Sequence, residues 1–270
     1  MNAAWLLEVC RRSWLWVMAG LLFLFMYLPI GVLSVYSVNR SPYSAAWEGF
    51  TLQWYQQLFR DARILTALQN SLVVAICAVG ISAVLGTLMA VGLSRYDFWG
   101  KTLYRGLSYL PLIIPDIAIA VATLIFLAVA AIPLSLWTIV AAHVVFCLSY
   151  VAIVVSTRFS KLDPHLEEAA LDLGATPTEA LIQVLLPELM PAIVSGCLLA
   201  FVLSLDDFLI ASFTSGSGAT TLPLEIFSRI RTGVKPDVNA LSVILIMASG
   251  LVASVGEVIR YRGEQRRSRR

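Results

Sequence analysis

Apolar residues along this chain fall into long blocks, and polar residues collect in the gaps between them. Six blocks run over about 14–35, 67–93, 104–131, 136–156, 192–213 and 240–261. Each meets the roughly 20 residues a helix needs to cross the hydrocarbon core of a bilayer. The pattern predicts an all-α integral membrane protein with six transmembrane helices. The first block is expected to be an uncleaved helix: it is long for a signal-peptide core and no small-x-small site ends it. Gly80, Gly86 and Gly92 in the second block are spaced for close helix approach. Pro111 and Pro115 interrupt the third, a break tolerated only where protein or a cavity satisfies the freed carbonyls. A short uncharged turn, 131–135, separates the third block from the fourth.

The polar gaps differ in character. Residues 37–66 form an aromatic loop with Trp47, Trp54 and Tyr55, read as an interfacial belt with a short surface helix. Residues 215–239 form a second loop on the same side. Between them in topology lies Asp163–Pro187, which reads as two short helices at a sharp angle. Asp163 caps a helix starting at Pro164. Leu166, Ala169, Ala170 and Leu173 make one apolar stripe, and Glu167, Glu168 and Asp172 fill the rest. Gly174 is placed to close the first helix in the left-handed conformation. Thr176, Pro177 and Glu179 form a capping box for the second, and Pro187 and Pro191 mark the entry to the next apolar block.

Composition agrees with a membrane protein. The chain of 270 residues is 59% hydrophobic and 13% charged, with mean hydropathy +0.83, against about 25% charged in soluble domains. The distribution of charge says more than the net +2. With the N-terminus inside, the inner segments hold 13 of the Lys and Arg residues, Arg11 and Arg12 among them, and the outer loops hold 6. This inside excess predicts both termini in the cytoplasm. It also places 163–187 there. The chain divides into an N-terminal helix and outer loop (1–66), a transmembrane domain (67–261) and a basic tail (262–270), whose arginines suit anionic head groups. No nucleic-acid partner is expected, because the exposed face of the 163–187 loop is acidic. Cys10, Cys77, Cys147 and Cys197 are scattered, read as small hydrophobes, and no metal cluster is indicated. His143 reads as a hydrogen-bonded packing residue.

No P-loop is present, so the chain holds no ATP site of its own. The chemistry that stands out is acidic: Asp116 in the third block, Asp206 and Asp207 deep in the fifth. An intramembrane carboxylate costs about 2.5–3.5 kcal/mol on insertion scales, and the Lys or Arg residues of the predicted spans, Arg105 and Arg260, stand at block ends rather than inside them to pair with these three. Two readings remain open. The acids line a path for a cationic substrate, with Tyr109, Tyr150, Phe208 and Phe213 as cation–π walls, or they cap broken helices and form a gate. On one continuous helix Asp206 and Asp207 would point about 100° apart, so one binds cargo and the other bonds a neighbouring helix. The functional alternatives are a subunit of a motor-driven importer, a self-sufficient channel or cation carrier, and more distantly a membrane enzyme.

Glu168-Ala169-Ala170, then Gly174, then Leu186-Pro187 resemble the EAA-type loop of ABC importer permeases; Val184 stands where that pattern usually has isoleucine. The resemblance implies that Glu167, Glu168, Ala169, Ala170, Asp172, Gly174, Leu186 and Pro187 form a coupling helix that docks into a cytoplasmic ATPase. LSLDDFLIASFTSGSGATTLPLEIF, HVVFCLSYVAIVVSTRF and EEAALDLGAT are similar to the second permease of spermidine/putrescine importers. That likeness covers nearly the whole chain and is weakest at the termini. It implies a MetI-like (ABC importer type I) fold, a bacterial inner-membrane location and a polyamine cargo. It also implies a second, non-identical permease subunit, an ATPase dimer carrying ATP and Mg, and a periplasmic binding protein. This chain itself would bind no cofactor. Permeases of other small organic solutes are the alternative within the same class.

Overall fold

The computed structural model describes residues 3–42, 46–163, 165–233 and 235–268; of residues 3–13 and most of those beyond 251 it describes the backbone only. In chain order the helices are α1 (Ala3–Tyr36), α2 (Gln53–Leu58), α3 (Ala62–Arg95), α4 (Lys101–Tyr109), α5 (Asp116–Val129), α6 (Leu136–Phe159), α7 (His165–Asp172), α8 (Pro177–Glu179), α9 (Leu186–Asp206), α10 (Leu209–Thr214), α11 (Leu222–Thr232) and α12 (Pro236–Ser268). The described residues contain no β-strand, only an isolated bridge between Asn39 and Phe50. The fold is all-α, as the apolar blocks predict. Pro164, read as the first residue of a helix, lies outside the described residues, as do the side chains of Cys10, Arg11, Arg12 and the C-terminal arginines.

Four helical stretches are long and apolar enough to cross a membrane: Trp14–Tyr36, Ala62–Arg95, Leu136–Phe159 and Pro177–Asp206. The third expected span is not straight. Lys101–Leu112 and Asp116–Val129 meet at a 105° bend, and together they make a fifth broken span or a re-entrant loop. Pro111 and Pro115 explain it, because neither ring supplies a backbone N–H to continue the helix. The sixth expected span falls in α12, whose described apolar stretch, Pro236–Leu251, is shorter than a full crossing. The fifth expected span also differs. It ends at Asp206, Asp207 is extended (φ −67°, ψ 122°), and α10 begins afresh at Leu209.

The chain forms two compact units, residues 1–61 with 229–247, and residues 62–228 with 248–270. The second unit is built around α6, which packs against α3 and α9. Lipid tails are as apolar as these helices, so close packing rather than water exclusion holds them. Gly86 on α3 and Gly196 on α9 make it possible. A Cβ at Gly86 would stand 3.0 Å from the Leu148 carbonyl oxygen, and one at Gly196 would stand 3.3 Å from the Val151 Cα. Gly80 and Gly92, expected to serve likewise, face open space. Val74, Ala78, Ile139, Val151, Val155 and Leu189 fill the seam. Cys147 is buried within it as a free thiol.

The ends of α3 mark the two sides of this unit. At its start, the Asn70 amide donates to the carbonyls of Gly218 (3.3 Å) and Thr220 (2.9 Å), and Ser71 Oγ accepts from the Leu222 amide at 2.8 Å. At its other end Arg95 pairs with Glu167 of α7. The 215–221 loop and the 163–176 loop therefore sit at opposite ends of one 34-residue helix, as the six-block topology requires.

The first unit is organised by Asn39, which is fully buried. Its side chain donates to the Ala46 carbonyl and accepts from the amides of Ser41 and Glu48. Its carbonyl accepts from Trp54 Nε1 at 2.7 Å, and Tyr55 OH meets Ser37 Oγ at 2.8 Å. Trp54 and Tyr55 thus bind the loop together instead of anchoring it only to lipid; α2 is the expected surface helix. Arg229 clamps Asp61 (2.7 Å) and Asp237 (3.0 Å) in the same unit.

Candidate functional site

Two places in the second unit carry unusual chemistry. The first is a cavity of about 280 Å³ lined by Pro111, Asp116, Phe146, Tyr150, Leu203, Asp206, Asp207, Phe208, Leu209 and Ile210. It lies where both helix breaks meet. Asp116 is the first residue of α5, just past the bend, where the helix dipole favours a carboxylate. Asp206 is the last residue of α9, at the end where the dipole does not help it. Five of the seven residues singled out for a path or gate share this cavity. Tyr109 and Phe213 do not line it. The Tyr109 hydroxyl donates to Ser156 Oγ at 3.2 Å, and Phe213 packs on the core.

The three carboxylates are not equivalent. Asp207 is heavily used. Its oxygens accept from the amides of Ile210 (3.3 Å) and Ala211 (2.8 Å), capping α10, and Oδ2 lies 3.1 Å from His143 Nε2. His143 is buried on α6, with Nδ1 2.7 Å from Ser204 Oγ. With Nε2–H donating to Asp207, Nδ1 can accept from the Ser204 hydroxyl, so each polar group has a partner. Asp116 and Asp206 are exposed and make no hydrogen bond or ion pair with any described residue. Asp207 is thus the acid that bonds a neighbouring helix and Asp206 the exposed one, for a reason other than helical spacing. The two residues flank a helix end, so helical 100° spacing does not apply. Ser204 and Phe146 were not singled out in the sequence. Ser204 sits three residues before Asp207, but only packing reveals that this face meets His143.

Aromatic rings complete the wall. Phe208 lies 4.5 Å, centroid to centroid, from Phe227, and Phe146 lies 5.2 Å from the His143 ring.

The second place is the polar loop. α7 ends at Asp172 and Gly174 has φ +90°, the left-handed stop expected of it. Thr176 and Glu179 form the reciprocal capping box, Oγ1 of Thr176 accepting from the Glu179 amide and Glu179 accepting from the Thr176 amide at 2.7 Å. Three details correct the expected picture. The second helix is not a separate short one: it runs through a π-helical segment, Ala180–Leu185, directly into α9. The wide turn accommodates Pro187, which has no N–H for the Gln183 carbonyl and whose ring would crowd it. Leu173 leaves the apolar stripe and is 89% exposed, because the helix has already ended; Ala169 is exposed too, while Ala170 is buried and Leu166 half-buried. Glu167 turns inward to Arg95, leaving Glu168 and Asp172 as the acids on the outer face. His165 Nδ1 lies 3.0 Å from Glu168, and that contact, with Asp163 nearby, holds its imidazole above the ordinary range. Leu186 is half-buried and Pro187 exposed.

A broken-helix cavity between packed spans, with a capped polar loop at the far end of α3, defines a helical membrane transport component. Residues 82–269 match the family described as "Binding-protein-dependent transport system inner membrane component". The chain is 42% identical over 270 residues, 97% of its length and 96% of the relative's, to the putrescine transport system permease protein PotI of Escherichia coli (strain K12). It is 39% identical over 235 residues, 87% of its length and 91% of the relative's, to the spermidine/putrescine transport system permease protein PotC of Haemophilus influenzae. Among solved structures, a bacterial ABC transporter involved in the import of the acidic polysaccharide alginate superposes with TM-score 0.74 at 16% identity, covering 95% of this chain and 98% of that one. The chain belongs to the family of inner-membrane components of binding-protein-dependent transport systems. It is a multi-pass transport subunit and not an enzyme in its own right.

Proposed function

We propose that this chain is the permease subunit of a bacterial ABC importer that carries polyamines such as putrescine or spermidine inward across the inner membrane. The observation that carries the cargo assignment is the pair of carboxylates, Asp116 and Asp206, that have no partner among the described residues and stand in an aromatic-walled cavity at two helix breaks. Polyamines bear two or more positive charges at neutral pH, and such a cavity offers opposite charge with cation–π walls. The names of the 42% and 39% identical relatives point to the same cargo. Asp207 contributes negative charge but serves first as the cap and latch that hold the break in shape.

The motor is a separate ATPase dimer that binds ATP and Mg; this chain binds no cofactor. Glu168, Ala169, Asp172, Gly174 and the exposed Leu173 form the face that seats on it, with Ala170, Leu186 and Pro187 setting the loop's geometry and Glu167 tying the loop to α3. Both termini and the 163–187 loop lie in the cytoplasm. The excess of Lys and Arg in these segments supports that orientation, and so does the Arg95–Glu167 pair, which joins two segments expected on the same side. A second, non-identical permease completes the path; the wholly unburied Trp14–Tyr36 window leaves apolar surface for it and for lipid. Loaded binding protein and nucleotide then bias one two-state equilibrium between outward and inward access.

The test is purification of the assembled complex, identification of its subunits and measurement of ATP hydrolysis with binding protein loaded from a panel of putrescine, spermidine, a neutral diol and a dicarboxylate. Stimulation by the amines alone supports the reading. Equal stimulation by the diol or the dicarboxylate contradicts the cargo assignment.

A further inference from the structure

A second and larger cavity, about 830 Å³, lies along α3, α4 and α6. Leu85, Leu88 and Met89 of α3, Leu107 of α4, and Val145 and Leu148 of α6 wall it with hydrocarbon. From Leu85 to Leu93 it follows α3 for about 12 Å. Gly92 keeps its floor open: a Cβ there would meet no atom within 4 Å.

At its Leu93 end the groove meets the turn between α3 and α4, which carries three cations. Two are neutralised. Arg95 pairs with Glu167, and Lys101 pairs with Asp97 at 2.8 Å. Arg105 is exposed and forms no ion pair with any described residue. One of its N–H groups donates to the Leu93 carbonyl at 3.4 Å, which fixes the guanidinium beside the end of the groove. The other donors of its planar fork are free for a bidentate partner such as phosphate. Tyr96, Phe98, Trp99 and Tyr104 stand exposed around it, the residue types that settle at head-group depth.

We propose that this groove is a binding site for an anionic phospholipid, with one acyl chain along Leu85–Leu93 and the head-group phosphate on Arg105. The charge argument selects the occupant. Arg105 shares the field of Asp97, whose carboxylate is bonded to Lys101, but holds no carboxylate of its own among the described residues. A hydrocarbon trough that ends on such a guanidinium complements a lipid anion, whereas a helix from another subunit would have to bring an acid to that spot.

The test is native mass spectrometry of the purified complex titrated with phosphatidylglycerol, with phosphatidylethanolamine and with soluble glycerol phosphate. Arg105→Gln and Gly92→Leu are the variants; the latter projects a side chain into the groove from a position where a Cβ meets no atom within 4 Å. We expect saturable phosphatidylglycerol binding, about fivefold weaker in Arg105→Gln, as loss of one basic contact near a membrane surface implies, and lost in Gly92→Leu. ATP hydrolysis by both variants in detergent shows that they are folded. Equal binding of the two lipids, wild-type binding in Arg105→Gln, or displacement by glycerol phosphate alone overturns the proposal. So does efficient cross-linking of Leu88→Cys to another subunit, which would make the groove a protein interface.

Discussion

His143 Nε2 lies 3.1 Å from Asp207 Oδ2, joining the middle of α6 to the point where α9 stops. One carboxylate thereby fixes the break between α9 and α10: it caps α10 through the Ile210 and Ala211 amides and ties the cap to a buried imidazole that Ser204 supports from the other side. This latch governs the shape of the cavity in which Asp116 and Asp206 stand without a partner among the described residues.

Removing the imidazole leaves buried acceptors and donors without partners, at a cost of about 1–3 kcal/mol. His143→Ala is expected to lower the thermal stability of the complex in detergent. His143→Gln, which can still donate to Asp207, is expected to retain part of it. Thermal unfolding followed by size-exclusion chromatography checks the order wild type, Gln, Ala. Equal stability of all three would show that the latch holds nothing.

Asp116→Asn and Asp206→Asn remove charge without removing volume, and neither carboxylate supports a neighbour. Loss of a charge-assisted contact of about 1.5–3 kcal/mol slows uptake at limiting polyamine by roughly tenfold or more, with membrane expression unchanged. Asp207→Asn is expected to reduce both uptake and stability. Normal uptake by Asp116→Asn and Asp206→Asn would remove them from the cargo path and return all three acids to a gating or capping role.

Gly174 adopts φ +90°, a conformation that costs an L-residue about 1–2 kcal/mol and a β-branched one more. Gly174→Val should therefore distort the outer face of α7 while the spans still insert. The expected result is loss of cargo-stimulated ATP hydrolysis in reconstituted complexes. Glu168→Lys reverses the sign of an exposed contact and should reduce co-purification of the ATPase. Full stimulation in the first variant and full co-purification in the second would count against the docking face.

The raised ionisation of His165 makes a signed prediction. A group whose folded value lies above its ordinary 6.5 contributes stability that is complete below that value and fades as pH rises through the folded one. Amide exchange in α7 should therefore quicken, relative to intrinsic rates, as pH is raised above 6.5. His165→Ala should abolish the dependence, and the same trend persisting in that variant would place its origin elsewhere.

The helices, the capping box at Thr176 and the stop at Gly174 were legible because each rests on local chemistry within a few residues. The family was legible because Glu168-Ala169-Ala170, Gly174 and Leu186-Pro187 keep their spacing. What escaped was tertiary. Two prolines announce a break but not a 105° bend. No glycine or proline near Asp206 marks the end of a helix, and the stop is stabilised by His143, more than sixty residues away. Glu167 and Glu168 look alike in sequence; only the arrival of Arg95 turns one inward. Leu173 follows the apolar period but lies one residue past the helix end, so the period no longer places it.

On the proposed function, the chain moves cationic cargo only when a separate motor grips its polar loop. The direct measurement is uptake of labelled putrescine into proteoliposomes holding either the complete complex or the permease subunits alone, with binding protein outside and ATP and Mg inside. Accumulation is expected with the complete complex and none above leak without the ATPase. Accumulation by the permease subunits alone, or by the complex without ATP, would contradict it.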